Sequence, residues 1–107
     1  MDNVKLHLAS IVQGVVEDYA DGVWFKADAY AVCDNVRQIY VAVVVPHQDY
    51  PLTLKAGVVV MARLVDDTVI VDHDTTDQPF YQELMRNGIP REKIVLTYAG
   101  EQAPVSS

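Results

Sequence analysis

Residues 69–98 constrain the fold more than any other part of this chain, because four structural signals follow one another there without a gap. Val69, Ile70 and Val71 are β-branched and suit a pleated, partly buried strand. Asp74, Thr75 and Thr76 come next, and any of them can cap a helix by accepting from its free backbone donors. Pro79 falls in the first turn, where its missing N–H does little harm. Phe80, Leu84 and Gly88 share one helical stripe, with Tyr81 and Met85 beside it. Gly88 sits where a left-handed residue ends a helix, and Pro90 prevents continuation. Arg91, Glu92 and Lys93 make a polar bend, and Ile94, Val95 and Leu96 start another apolar strand.

The first two thirds supply the remaining layers. Val4, Leu8, Ile11, Val12, Val15 and Tyr19 recur at helical spacing, with Asp2 placed to cap and Asp21-Gly22 placed to end the element. Residues 27–34 and 36–45 read as strands joined at Asp34-Asn35, a turn signal. Val41, Val43 and Val45 alternate with Ala42 and Val44, so both faces of that strand are apolar. This predicts a central strand covered on both sides, or a subunit contact on one face. A loop between Pro46 and Pro51 follows, then a strand over 58–65, which Asp66-Asp67 turns into the strand at 69–72. Sequential strands on short turns are antiparallel neighbours. The expected fold is α+β: a twisted antiparallel sheet of four to five strands, with a long N-terminal helix and a C-terminal helix packed on it. At 107 residues, the chain forms one domain, with residues 99–107 expected to be a frayed tail.

The segment from Val69 to Leu96 resembles the XisI family, small factors that control excision of the fdxN element in cyanobacteria. The family carries Ile-Trp-Ile-x-x-Asp-Gly-Thr-Glu before the helix, matched by Val69 to Val71, Asp74, Thr76 and Asp77. It carries Glu-Leu-x-x-x-Gly-Ile-Pro-x-Glu-Asp-Ile-Val-Leu through the helix end. That block is matched by Glu83, Leu84, Gly88, Ile89, Pro90, Glu92, Ile94, Val95 and Leu96. Residues 11–20 look like the family's opening helix, and Asp34 to Tyr40 like its hairpin. Relatives follow the second strand with Gly-Trp, then an Arg and a His; this chain has residues 45–57 of different character there. The family's Asp-Gly-Thr-Glu turn becomes Asp74-Thr75-Thr76-Asp77, and its final Gly-Phe-His becomes Thr97-Tyr98-Ala99. The resemblance implies a regulatory protein whose partner is an XisH-like protein, usually encoded alongside, with a nuclease-type fold.

Charge narrows the function classes. The net charge is −7, and the eight basic residues are scattered, whereas a protein that clamps phosphates needs them clustered. Direct nucleic-acid binding is not expected. An acidic chain is suited to shield the basic surface of a partner. Cys33 is alone, so no internal disulfide forms, which fits a reducing cytoplasm. No apolar run is long enough to cross a bilayer. The start carries no pattern of the signal-peptide type.

Candidate chemistry is sparse. Asp72, His73 and Asp74 with His47 form the one conceivable metal set, which would make the chain a small metal-dependent hydrolase or ligand-binding domain. Strand alternation argues against it, since it puts Asp72 and Asp74 on one face and His73 on the other. No phosphate-binding loop, nucleophile elbow or cysteine pair is present. The expectation is a non-enzymatic accessory protein with no cofactor and no metal. Trp24 and Phe25 are read first as a core anchor where the helix folds back, and second as a partner contact. His47 and Tyr50, in the departing loop, are the other contact candidates. An open sheet leaves edges to be paired or blunted, so a homodimer is expected.

Overall fold

The computed structural model describes residues 2–22, 24, 27–47 and 55–104. The order is α1 (Asp2–Asp21), β1 (Ala27–Asp34), β2 (Ile39–Pro46), β3 (Gly57–Val65), β4 (Thr68–Asp74), α2 (Phe80–Arg86) and β5 (Ile94–Leu96). The five strands form one sheet in the order β1-β2-β3-β4-β5. Both helices lie on one face. Leu8, Val12, Val15 and Val16 of α1 join Tyr40, Ala42, Val60, Ala62, Val69 and Val71 of the sheet in a single core that also takes in Phe80 and Leu84 of α2. Each such aliphatic side chain contributes about 1.5–3 kcal/mol by leaving water, so the helix stripes hold the layers together.

The α+β class is the one read from the sequence, with one correction. The sheet is mixed: β1 to β4 are antiparallel, but β5 runs parallel to β4, Val69 facing Ile94 and Val71 facing Leu96. A helix separates β4 from β5. Such a crossover returns the chain to the start of its neighbour, where a hairpin turn would reverse it.

Local chemistry explains the boundaries. β2 begins at Ile39 instead of Val36 because Asp34 Oδ1 accepts from the amides of Val36 and Arg37, both at 3.0 Å. Gln38 then takes a left-handed φ of 57°. The β3–β4 turn is tighter, with Asp66 at φ 55°, the positive value a two-residue hairpin requires. Asp67 accepts from Lys93 Nζ at 2.7 Å, which ties this hairpin to the start of β5.

The end of α2 is a Schellman motif. The Gly88 amide donates to the Met85 carbonyl and the Ile89 amide to the Leu84 carbonyl, both at 3.1 Å, with Gly88 at φ 103°. Ile89 and Leu84 are both buried in the core, the apolar contact that accompanies the motif. Beyond β5, Glu101 Oε1 accepts from the Leu96 amide at 2.9 Å and Oε2 from Arg91 at 2.7 Å. The chain is therefore tied down through Glu101, past the point where fraying was expected to begin; residues 105–107 lie outside the described residues. No described helix is long and apolar enough to cross a membrane.

Candidate functional site

A cleft of about 560 Å³ opens between the C-terminal half of α1, Trp24 and the segment that leads from β4 into α2. Its walls follow from two carboxylate and hydroxyl anchors. Asp74 Oδ1 accepts from the Thr76 amide at 2.9 Å, folding the chain back. Asp74 Oδ2 accepts from the Phe80 amide at 2.7 Å, capping α2 from six residues upstream. Pro79 occupies the cap position and has no side-chain acceptor of its own, so Asp74 supplies what the local sequence lacks. Of the three cap candidates read from the sequence, the structure assigns the role to Asp74.

From the other wall, the Tyr19 hydroxyl donates to the Gln78 carbonyl. The Tyr19 ring packs at 59° against Phe80, with centroids 5.6 Å apart. Burial, then the neighbouring Asp74 carboxylate, pushes the Tyr19 hydroxyl above its ordinary pKa. It therefore stays a donor at neutral pH.

Trp24 closes the third side. Its indole N–H donates to the Tyr19 carbonyl at 2.9 Å, satisfying one of the free carbonyls at the end of α1. It is half-buried and does not belong to the buried core. The first reading, a core anchor, thus gives way to a residue pinned by its polar edge at the wall of a cleft. Asp18, Asp77 and Glu83 also line the cleft. Glu83 pairs with Arg86, while Asp18 and Asp77 make no ion pair among the described residues. The lining thus combines one aromatic wall with a surplus of negative charge.

The other candidates do not meet here. Phe25 and Tyr50 lie outside the described residues. His47, past the end of β2, approaches Asp28 at 3.4 Å and takes no part in the cleft. The four residues of the hydrolase reading are also dispersed. Asp72 accepts from Arg63 Nε at 2.6 Å and from the Thr97 hydroxyl at 2.6 Å. Asp74 is committed to the α2 cap. The expected alternation along 72–74 is broken by a register shift between Met61 and Ala62. As a result Asp72 and His73 fall beside Arg63 and Met61, on the side of the sheet away from the helices, while Asp74 faces Val60 on the core side. A bulge reverses every later side chain, which strand periodicity alone does not foresee. Among the described residues no three His, Cys, Asp or Glu side chains come together as a metal site. The Cys33 thiol is raised by burial and by nearby Glu17, which leaves it protonated at neutral pH.

Sequence reasoning did not single out Asp18 or Tyr19 as site residues. Tyr19 read as a core-stripe position, and it does pack on the core while its hydroxyl reaches the cleft rim. Asp18, on the polar flank of that stripe, carries no local signal that a cleft lies beside it.

Comparison with known proteins adds a family. The XisI protein family matches residues 1–104. The fold is similar to that of a XisI-like protein from Anabaena variabilis ATCC 29413, at TM-score 0.73 and 27% sequence identity, over 92% of this chain and 88% of that one. It is also similar to the fdxN element excision controlling factor XisI from the same organism, at TM-score 0.69 and 15% identity, over 94% of this chain and 95% of that one; at that identity the likeness concerns the fold alone. No curated protein matches the chain.

Proposed function

The chain belongs to the XisI family, and on that premise we propose that it is a regulatory protein like the excision controlling factor whose fold it shares, acting without catalysis by binding an XisH-like protein. The observation that carries this reading is Trp24, pinned at the wall of a cleft whose lining includes Asp18 and Asp77. Tryptophan is enriched where partners bind, because one rigid side chain offers a large contact area. The surrounding carboxylates, in a chain of net charge −7, favour a basic partner surface. A DNA-handling partner exposes such a surface, and covering it is a simple means of control. The lone thiol suits work in a reducing cytoplasm.

Trp24 is the chain's single tryptophan, so its fluorescence reports on the cleft directly. Titration with the XisH-like protein encoded beside it is expected to shift or quench that emission. Trp24→Ala should weaken the complex by roughly 30-fold, equivalent to the ~2 kcal/mol of a binding hot spot. A complex seen by size-exclusion chromatography that leaves the emission unmoved and tolerates Trp24→Ala would place the interface elsewhere. Two separate peaks at high micromolar concentration would end the proposal.

A further inference from the structure

The side of the sheet away from the helices is the largest feature that the cleft leaves unused. Strand register sets its composition. Val32, Val41 and Met61 form one cross-strand row, and Tyr30, Val43 and Val58 form the next. On the other side of the first row, Ile39, Arg63, Ile70 and Val95 form a third that runs to β5. None of Val41, Val43, Met61, Ile70 and Val95 belongs to the core that the helices cover. Tyr30 and Val32 are each 54% exposed, and Val45 and Val58 remain exposed as well. At the β4 end this face is closed, since Ile70 is fully buried and Thr97 reaches Asp72 there; the open part is the part that β1, β2 and β3 form. An apolar surface of this extent marks an interaction site.

Charge decides what the occupant is. The charged groups on or around this face are few: Arg63 pairs with Asp72 and Arg37 with Asp34, and Asp28 lies beside the His47 ring. Glu17, Asp18 and Asp21 lie instead on α1, and Asp77 lines the cleft, so these carboxylates sit on the helix side. A basic partner would find little to attract it on the bare face. A second copy, which elsewhere repels the first, would meet there a surface whose charges are few and include the Arg63–Asp72 and Arg37–Asp34 pairs.

Size sets the strength of the contact. Three open strands about 4.8 Å apart and eight residues long at ~3.3 Å each give a flat footprint of about 380 Å². Before the relief of its side chains is counted, that is about half of the ~800 Å² per partner in a standard interface, which suits a dimer that forms at high concentration. A two-fold axis through such a face makes it self-complementary and closes the assembly at two copies.

We propose that two copies of this chain pack through the bare faces of their sheets, with Val32, Tyr30, Val41 and Val43 at the centre of a sheet-on-sheet interface. The cleft of each copy, on the opposite side, stays open. This leaves the reading of the cleft independent of the dimer.

Sedimentation equilibrium of the whole chain at ionic strength high enough to screen the net charge is expected to give twice 11.9 kDa. Val32→Glu should weaken the dimer on the order of 100-fold or more by burying an unpaired charge, with an unchanged circular dichroism spectrum. Val58→Glu should act likewise. Val36→Glu, at a hairpin tip 90% exposed and off the face, should leave the dimer intact. A monomer at every concentration would overturn the proposal, and so would a dimer indifferent to both face variants. Protection of the face appearing only when a basic protein is added would equally overturn it, in favour of that protein as occupant. The Trp24 titration should be unmoved by Val32→Glu.

Discussion

Single carboxylates decide much of what holds here, and two of them separate cleanly. Asp74 joins the end of β4 to the start of α2 by accepting from the Phe80 amide and from the turn at Thr76. Because α2 spans only Phe80–Arg86, it has little hydrogen bonding to spare. Asp74→Ala is expected to cost about 1–2 kcal/mol in urea denaturation. Asp72 stands on the other side of the sheet. Burial raises its pKa, but donation from Arg63 and Thr97 outweighs burial and holds it below the ordinary carboxylate value. The folded protein thus binds this proton more weakly than the unfolded chain, whose aspartates titrate near ~3.9. The stabilisation is complete above about pH 5 and drains away as pH falls through the unfolded value toward the lowered folded one. Asp72→Asn should therefore lose about 1 kcal/mol at pH 7, discounted for the half-exposed Arg63, and should flatten the acid limb of a stability–pH curve. An acid limb identical to that of the parent protein would remove this account of the Arg63–Asp72 pair.

At the scale of elements, what was legible in the sequence was whatever depends on neighbours in the chain. The helix α1, the strand at 58–65 and the succession of strand, helix, stop and strand between Val69 and Leu96 were legible, because periodicity and stop signals are local; Pro79, read as a first-turn residue, is the cap position itself. Gly88 is the sharpest case. The pattern placed a left-handed residue there, and it has φ 103°. Gly88→Ala should cost about 1 kcal/mol, and Leu84→Ala, which empties a fully buried core position, about 2–5 kcal/mol. What was not legible depends on distant chain segments. The direction of β5 is set by where α2 delivers it, not by Ile94, Val95 and Leu96 themselves. The bulge opposite Met61 put Asp72 and Asp74 on opposite sides, against the alternation expected of them. Trp24 looked like core because large aromatics usually are, yet the end of α1 offers its indole a carbonyl at the rim. The cleft itself joins residues near 18, 24 and 77, a combination with no signature in sequence.

For the whole molecule, the distribution of charge matters more than its total. Arg37, Arg63, Arg86, Arg91 and Lys93 each pair with a carboxylate of the same chain. What remains for an outside partner on the helix side is mostly negative. Binding of a basic partner at the cleft should therefore weaken by roughly tenfold or more between ~0.05 M and ~0.5 M salt, read by titration at each ionic strength. The sheet-on-sheet contact should respond in the opposite sense, since screening relieves repulsion between two acidic copies while apolar contact persists. Measuring both against salt separates the two surfaces without a single substitution.

The double anchorage of the segment between β4 and α2 has a last consequence. Asp74 grips its far end and the Tyr19 hydroxyl clasps its middle at Gln78, so the floor of the recess is set before any visitor arrives. A mould already hardened loses little freedom when filled. Recognition at this spot should thus be quick and nearly rigid, with the visiting molecule doing most of whatever rearranging is required.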